Sequence, residues 1–232
     1  MMLDRERYLR QISLEEIGEA GQMSLAAASV LIVGVGGLGS PIATLLASSG
    51  VGRLGLVDFD LVSRSNLPRQ TLYAESNIGL SKVECAASRL RDMNSGVCVE
   101  VHNLRLDEAS AEWIISQYDI VVDGTDNPAS RYLIDEVCGR LNRPYVYGAI
   151  RAHQGQVSVF HHNGAGGYAD LYPPESAPFT LAPPPVLSAT PAVIGAIEAN
   201  EVIKLIVGYG ETLSGRLLNF DLRDYSLAIF EL

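Results

Sequence analysis

An apolar run that ends in a glycine cluster, VLIVGVGGLG at residues 30–39, constrains this chain more than any other feature. A helical pattern follows at residues 38–49, and a second apolar run, LGLVDFD at residues 54–60, closes the unit. Gly34, Gly36 and Gly39 fit G-x-G-x-x-G, whose glycines give a tight turn, close backbone approach to phosphate, and close helix–strand packing. A helix starting near Gly37 points free N–H groups and the positive end of its dipole at an anion. Asp58, at the end of the second run, is placed to accept hydrogen bonds from a ribose, with Asp60 just beyond it. The unit predicts a nucleotide site. It does not choose the nucleotide, because a nicotinamide dinucleotide suits the same fingerprint.

Strand and helix patterns alternate through most of the remaining chain. Strands are expected at residues 30–33, 53–58, 97–102, 119–123 and 144–149, and helices at 14–28, 38–49, 79–94, 109–116 and 129–141. Near-continuous apolar strands such as DIVVD suit a sheet covered on both faces, which predicts an α/β, doubly wound, Rossmann-like and mainly parallel sheet. Beyond residue 150 the pattern changes. GQVSVF at 155–160 alternates and reads as antiparallel, residues 161–190 read as a long Gly- and Pro-rich crossover loop, and a helix is expected at 191–207. Two further strands, 216–221 and 226–231, extend the sheet in antiparallel fashion. The expected organisation is one domain over 1–232, with an N-terminal helical segment (1–28), a nucleotide-binding core (29–150) and an acceptor-binding part (151–232).

Four further groups of polar residues gather at the C-terminal ends of the expected strands. Ser65, Asn66, Arg69 and Gln70 follow the second strand, where an Arg beside amides can grip phosphate oxygens bidentately. Lys82 opens the next helix, within reach of the same crevice. Gly124, Thr125, Asp126 and Asn127 follow the 119–123 strand, where a carboxylate can hold Mg²⁺ through one or two oxygens. Arg7 and Arg10 lie in a basic segment ahead of the first helix. Taken singly, Asp126 or Asn127 reads as a helix cap, and Lys82, Arg7 and Arg10 as solvated charges. Several cations and a carboxylate around one glycine loop suit a triphosphate with its metal better than a dinucleotide.

The 232 residues can bury a substantial core and contain no apolar run of the roughly 20 residues that span a membrane. The N-terminus MMLDRERYLR has no signal-peptide character, and three scattered cysteines suggest no disulfide framework, so a cytoplasmic location is expected. A formal charge of −10 argues against nucleic acid as partner.

RYLRQ, GVGGLGSP, GLVDFDLVSRSNLPRQTLY, IGLSKVECA, DIVVDGTDN and PYVYGAIRAHQGQVSVF occur in this order. From Arg7 to the C-terminus the chain resembles the E1-like adenylyltransferases that activate small ubiquitin-fold sulfur carriers. These include the enzymes of thiamine and molybdopterin synthesis and the adenylation domain of ubiquitin-activating enzymes. The resemblance implies ATP-dependent adenylation of a carrier's C-terminal Gly-Gly carboxylate, with release of pyrophosphate. It implies phosphate contacts at Gly37 and its neighbours, a ribose contact at Asp58, triphosphate contacts at Asn66, Arg69 and Lys82, and Mg²⁺ on Asp126. It also implies a homodimer in which Arg10 reaches the γ-phosphate in the partner's site.

The chain departs from that family's pattern in two places. Where many members carry the first zinc-binding C-x-x-C pair this sequence reads GYADLYP at 167–173, and the second pair is missing, so no zinc is expected. The crossover loop has no cysteine for a covalent link to the carrier. Cys85, Cys98 and Cys138 read as structural, and His102, His153, His161 and His162 form no ligand constellation, with the adjacent pair expected on a loop surface. The zinc-free form favours the thiamine-type carrier. Rival readings are adenylation of a molybdopterin-type carrier or of a peptide, a non-catalytic binding module, and a dehydrogenase.

Overall fold

The computed structural model describes residues 3–176 and 185–232. A short turn of helix, α1 (Leu9–Ile12), precedes α2 (Gly18–Ala27). The expected 14–28 helix therefore starts four residues late. Gly18 sits at φ +56, a left-handed conformation that separates the turn after α1 from α2.

The nucleotide-type unit then unfolds as β1 (Ser29–Val33), α3 (Gly39–Ser49) and β2 (Arg53–Val57), followed by α4 (Lys82–Met93) and β3 (Cys98–His102). A second run gives α5 (Glu108–Ile115), β4 (Ile120–Asp123), α6 (Pro128–Leu141) and β5 (Tyr145–Arg151). These five strands pair in parallel, in the order β3-β2-β1-β4-β5. Strand order reverses between β1 and β4, and ligands of doubly wound sheets bind in the crevice that this reversal opens.

The sheet continues antiparallel through β6 (Gln154–Phe160), β7 (Arg216–Asp221) and β8 (Ser226–Glu231), making eight strands among the described residues. Ala152, at φ +54, turns β5 into β6. The expected 161–190 loop carries more structure than its composition suggests. It holds the one-turn helix α7 (Tyr168–Leu171), a 3₁₀ turn at Pro174–Ser176, and the start of the long helix α8 (Ala189–Val207). Part of the proline run, at 183–184, lies outside the described residues, whereas Pro185 and Val186 run beside Ala152.

Each face of the sheet buries a separate apolar cluster. Ile42, Leu46 and Ala47 of α3, Val83 and Leu90 of α4, and Ile194 and Val202 of α8 cover one face. Ile114 and Ile115 of α5 and Ile134, Val137 and Cys138 of α6 cover the other. Alternate residues of β1 serve the two sides: Val30 and Ile32 join the first cluster, Leu31 and Val33 the second. This two-sided burial explains why the parallel strands read as unbroken apolar runs. Among the described residues no helix is long and apolar enough to cross a membrane.

Candidate active site

A cavity of about 1040 Å³ opens at the C-terminal ends of β1, β2, β4 and β5. Its first half is built by the glycine loop. Gly34 turns at φ +87, and a Cβ on Gly39 would collide with the Gly34 carbonyl, so the loop closes tightly onto the start of α3. Gly34, Gly36 and Gly37 line the cavity, while Gly39 serves this packing alone. The buried Tyr73 hydroxyl donates to Val35 O (2.7 Å) and supports the loop from beneath.

Asp58 is fixed before any ligand arrives. Its Oδ2 accepts from Val35 N and its Oδ1 from Asp60 N, each at 2.9 Å. Lys82 Nζ lies 2.8 Å from Asp60 Oδ2 and 4.0 Å from Asp58 Oδ2, with only 6% of its side chain exposed. A buried ammonium needs such partners. Asp60 thus serves to hold Lys82 at the cavity wall. Ser65, Arg69 and Gln70 line the same wall, and the Arg69 guanidinium donates to Ser65 O at 3.1 Å. Gln70 is buried with its Oε1 lacking a hydrogen-bond partner among the described residues.

On the opposite wall, Thr125, Asp126 and Asn127 follow β4. Asn127 caps α6, its Oδ1 accepting from Ser130 N at 2.9 Å, with Pro128 in the helix's first turn. The cap reading therefore applies to Asn127. The Asp126 side chain is exposed to the cavity and makes no hydrogen bond or ion pair among the described residues. A lone carboxylate in the same cavity as Lys82 and Arg69 suits Mg²⁺, which takes one or two protein carboxylates and completes its shell with phosphate and water oxygens. No three His, Cys, Asp or Glu side chains among the described residues group into a metal cage.

Two candidates stand apart from the cavity of their own chain. Arg10 is exposed on α1, and Asn66 ends a 3₁₀ turn where its carbonyl accepts from Arg69 N and Gln70 N; neither lines the cavity. Asn66 shapes the Ser65–Gln70 segment through its backbone.

Sequence reasoning missed the polar structure beneath the Asp126 loop. Asp123, fully buried at the end of β4, accepts from Thr125 N (2.8 Å) and Thr125 Oγ1 (2.6 Å) on one oxygen, and from Arg131 Nε (2.9 Å) and Tyr145 Oη (3.1 Å) on the other. Arg131 also donates to Thr125 O and Gly148 O, tying the β4 loop to β5. Burial opposes the Arg131 charge, but Asp123 together with Tyr147, Tyr145 and Tyr168 outweighs it, and the guanidinium stays ionised. Glu198 of α8 is fully buried against Gly148, with both carboxyl oxygens unpartnered among the described residues. Burial, reinforced by Asp123, pushes its pKa well above the ordinary carboxylate value and favours the protonated acid. The charged residue ending DIVVD was the one available hint of this network.

The second half of the cavity is aromatic. Tyr147, Tyr168 and Tyr172 line it with Gln156, and Tyr172 Oη donates to Gln156 Oε1 at 2.6 Å. Pro185 and Val186 also line it. His161 is not a surface loop residue: it is half-buried and bonded to Asp135 at 2.8 Å, because the segment after β6 folds back onto α6. Among the cysteines Cys98 is exposed at the start of β3, whereas burial raises the pKa of the Cys85 and Cys138 thiols.

Known proteins resemble this chain in sequence and in fold. The chain is 46% identical over 218 residues to the adenylyltransferase and sulfurtransferase MOCS3 of Culex quinquefasciatus, covering 93% of this chain and 50% of that relative. It is 42% identical over 230 residues to the probable molybdopterin-synthase adenylyltransferase of Porphyra purpurea, covering 97% and 60%. The crystal structure of E. coli MccB with ATP superposes with a TM-score of 0.84 at 26% identity, covering 97% of this chain and 71% of that one. The chain spans about half the length of the MOCS3 relatives it matches. The pattern of the ThiF family runs through residues 8–232, and on that match the chain belongs to the ThiF family.

Proposed function

We propose that this chain adenylates the C-terminal Gly-Gly carboxylate of a ubiquitin-fold sulfur carrier with ATP, releasing pyrophosphate. The observation that carries the reading is the unpaired Asp126 carboxylate in the same cavity as the glycine loop, Lys82 and Arg69, a cavity that continues into an arm lined by tyrosines. ATP fits the charged half, with the ribose on Asp58 and the phosphates on Gly36 and Gly37 N–H groups, Ser65, Arg69, Gln70 and Lys82. The carrier tail fits the aromatic half.

In the reaction a carboxylate oxygen of the carrier attacks the α-phosphorus. The bond from that phosphorus to the bridging oxygen of the β-phosphate breaks, and pyrophosphate leaves with the electron pair. No side chain of this protein acts as nucleophile. Its task is alignment and charge stabilisation, the main sources of rate in such transfers. Lys82 and Arg69 stabilise charge moving onto pyrophosphate. Mg²⁺ on Asp126 would neutralise phosphate charge and orient the phosphate chain. Asp123 and Arg131 fix the loop that presents Asp126.

The names of the curated relatives favour a molybdopterin-type carrier over the thiamine-type carrier expected from the sequence. Adenylation of a peptide is the second reading, favoured by the structural likeness to MccB. The position of Arg10 outside its own cavity supports a homodimer in which it reaches the partner's triphosphate.

Mass spectrometry of a Gly-Gly carrier incubated with the enzyme and MgATP tests the reading. A carrier bearing one AMP at its C-terminus is expected. Unmodified carrier beside an adenylated short peptide would favour the second reading, and no adenylate on either would overturn both.

A further inference from the structure

The helix α6 serves both halves of the cavity. Arg131, in its first turns, clamps the Asp126 loop; the adjacent Tyr132 reaches Tyr172 just past α7, and Asp135, one turn later, reaches the start of α7. Asp135 is buried, 5% exposed, yet it spends both carboxylate oxygens on the one-turn helix. Oδ1 accepts from Tyr168 N (2.7 Å) and Oδ2 from Ala169 N (3.0 Å). His161 Nε2 donates to Oδ1 at 2.8 Å, and Tyr132 Oη donates to Tyr172 O at 2.8 Å. The approach is close enough that a Cβ on Gly167 would lie 2.5 Å from Asp135 Oδ1. Asp170 completes the turn by accepting from Gly167 N at 2.8 Å.

The residues held in this way matter to the site. Tyr168 and Tyr172 form part of the aromatic wall, packing on Tyr147 at centroid distances of 5.3 and 6.4 Å. An isolated one-turn helix has no stability of its own. Without a partner its leading N–H groups would be unsatisfied in a buried setting, at a cost of about 1–3 kcal/mol each. Its place is therefore set from outside, by a charged acceptor on the neighbouring helix.

We propose that Asp135, assisted by His161, is the positioning residue that builds the acceptor half of the cavity, fixing Tyr168 and Tyr172 where the carrier tail must lie. The assignment of that half to the carrier rests on the function proposed above. The brace itself does not. In this chain the turn that carries GYADLYP is held by carboxylate-to-amide bonds from Asp135 and Asp170.

Asp135→Asn tests this in the full chain. Asparagine nearly matches the shape but cannot accept both amides and the imidazole. Three measurements separate the outcomes: amide hydrogen exchange at 168–169, the KM for a ubiquitin-fold carrier ending in Gly-Gly, and ATP affinity by calorimetry. The expected result is roughly tenfold faster exchange at those amides and a roughly tenfold higher carrier KM, with ATP affinity within about twofold of wild type. Unchanged exchange would overturn the brace. Faster exchange with an unchanged carrier KM would overturn the acceptor wall, and a parallel loss of ATP affinity would reduce Asp135 to a general structural role. If wild type shows no carrier-dependent activity, the functional reading fails while hydrogen exchange still decides the brace. Should Asp135→Asn not fold, wild-type exchange decides the brace: the amides of Tyr168 and Ala169 should exchange at least roughly tenfold more slowly than those of the exposed turn at 163–164, and equal rates would overturn it.

Discussion

The two halves of the cavity are built by different means. The charged half takes its groups from short segments at the ends of neighbouring parallel strands: the glycine loop after β1, Asp58 and Lys82 around the β2 connection, and Asp126 after β4. The aromatic half takes Tyr147 from β5, Gln156 from β6, and Tyr168 and Tyr172 from a turn that Asp135 pins from another helix. Strand ends in a parallel sheet deliver ligand groups through local connectivity. The antiparallel half depends on contacts between segments tens of residues apart. A substitution in one half should therefore leave the other half's ligand largely unaffected.

The largest effect is expected where charge moves. Asp126→Ala should lower pyrophosphate exchange by about 10²–10³-fold with little change in melting temperature, because the side chain is exposed and makes no bonds to lose. Near-normal exchange at limiting Mg²⁺ would remove Asp126 from the metal. Lys82→Ala should lose a similar factor in rate, and should also lose about 1–3 kcal/mol of stability, since Asp58 and Asp60 would remain beside an empty space. Equal melting curves for the two variants would show that the buried pair matters less than its geometry suggests.

A smaller effect is expected from subunit mixing. Arg10→Ala and Asp126→Ala chains, each inactive alone, should form heterodimers with one intact site, pairing Arg10 of one chain with Asp126 of the other. Partial recovery of exchange would put Arg10 in the partner's site. No recovery after demonstrated subunit exchange would confine it to its own chain.

Tyr172→Phe should act on the aromatic half alone. It removes the hydroxyl bonded to Gln156 and should raise the carrier KM by about 2–5-fold while leaving the ATP KM unchanged. Equal shifts in both constants would break the separation of the halves.

The smallest effect concerns stability and pH. Glu198 keeps its proton in the folded state well above the ordinary carboxylate pKa, while the unfolded chain releases it near pH ~4.3. Its contribution is therefore fully present below that pH and is lost as pH rises toward the folded-state value. Glu198→Gln removes the titration. Melting temperatures of the variant and wild type should differ least near pH 4, with the variant gaining relative to wild type toward neutrality. Parallel curves would mean that Glu198 is ionised or hydrated in the fold.

This division also explains what was legible in the sequence. The doubly wound sheet, the glycine loop, Asp58 and the 124–127 loop could be read because each lies within a few residues of a strand end that announces itself by apolar pattern, and Lys82 because it opens the helix between two such strands. Gly18 and Gly21 mark weak points of the expected first helix, but that Gly18 would turn left-handed and start the helix there was not legible. Arg131 on Asp123, Glu198 against Gly148, and Asp135 under α7 could not be read. Each is a contact between elements whose packing only the fold determines, and each residue taken alone looks like an ordinary charge on a helix. His161 illustrates the same limit: its neighbour His162 suggested a loop surface, but Asp135, 26 residues earlier, draws it inward.

The account rests on a carboxylate delivered through the aromatic arm to ATP in the charged half, and ATP–pyrophosphate exchange measures that meeting directly. With MgATP and a ubiquitin-fold carrier ending in Gly-Gly, label from pyrophosphate should enter ATP, and deletion of the carrier's last glycine should abolish the incorporation. Exchange that proceeds equally without carrier, or no exchange with any such carrier while the protein binds NAD in the charged half, would contradict it.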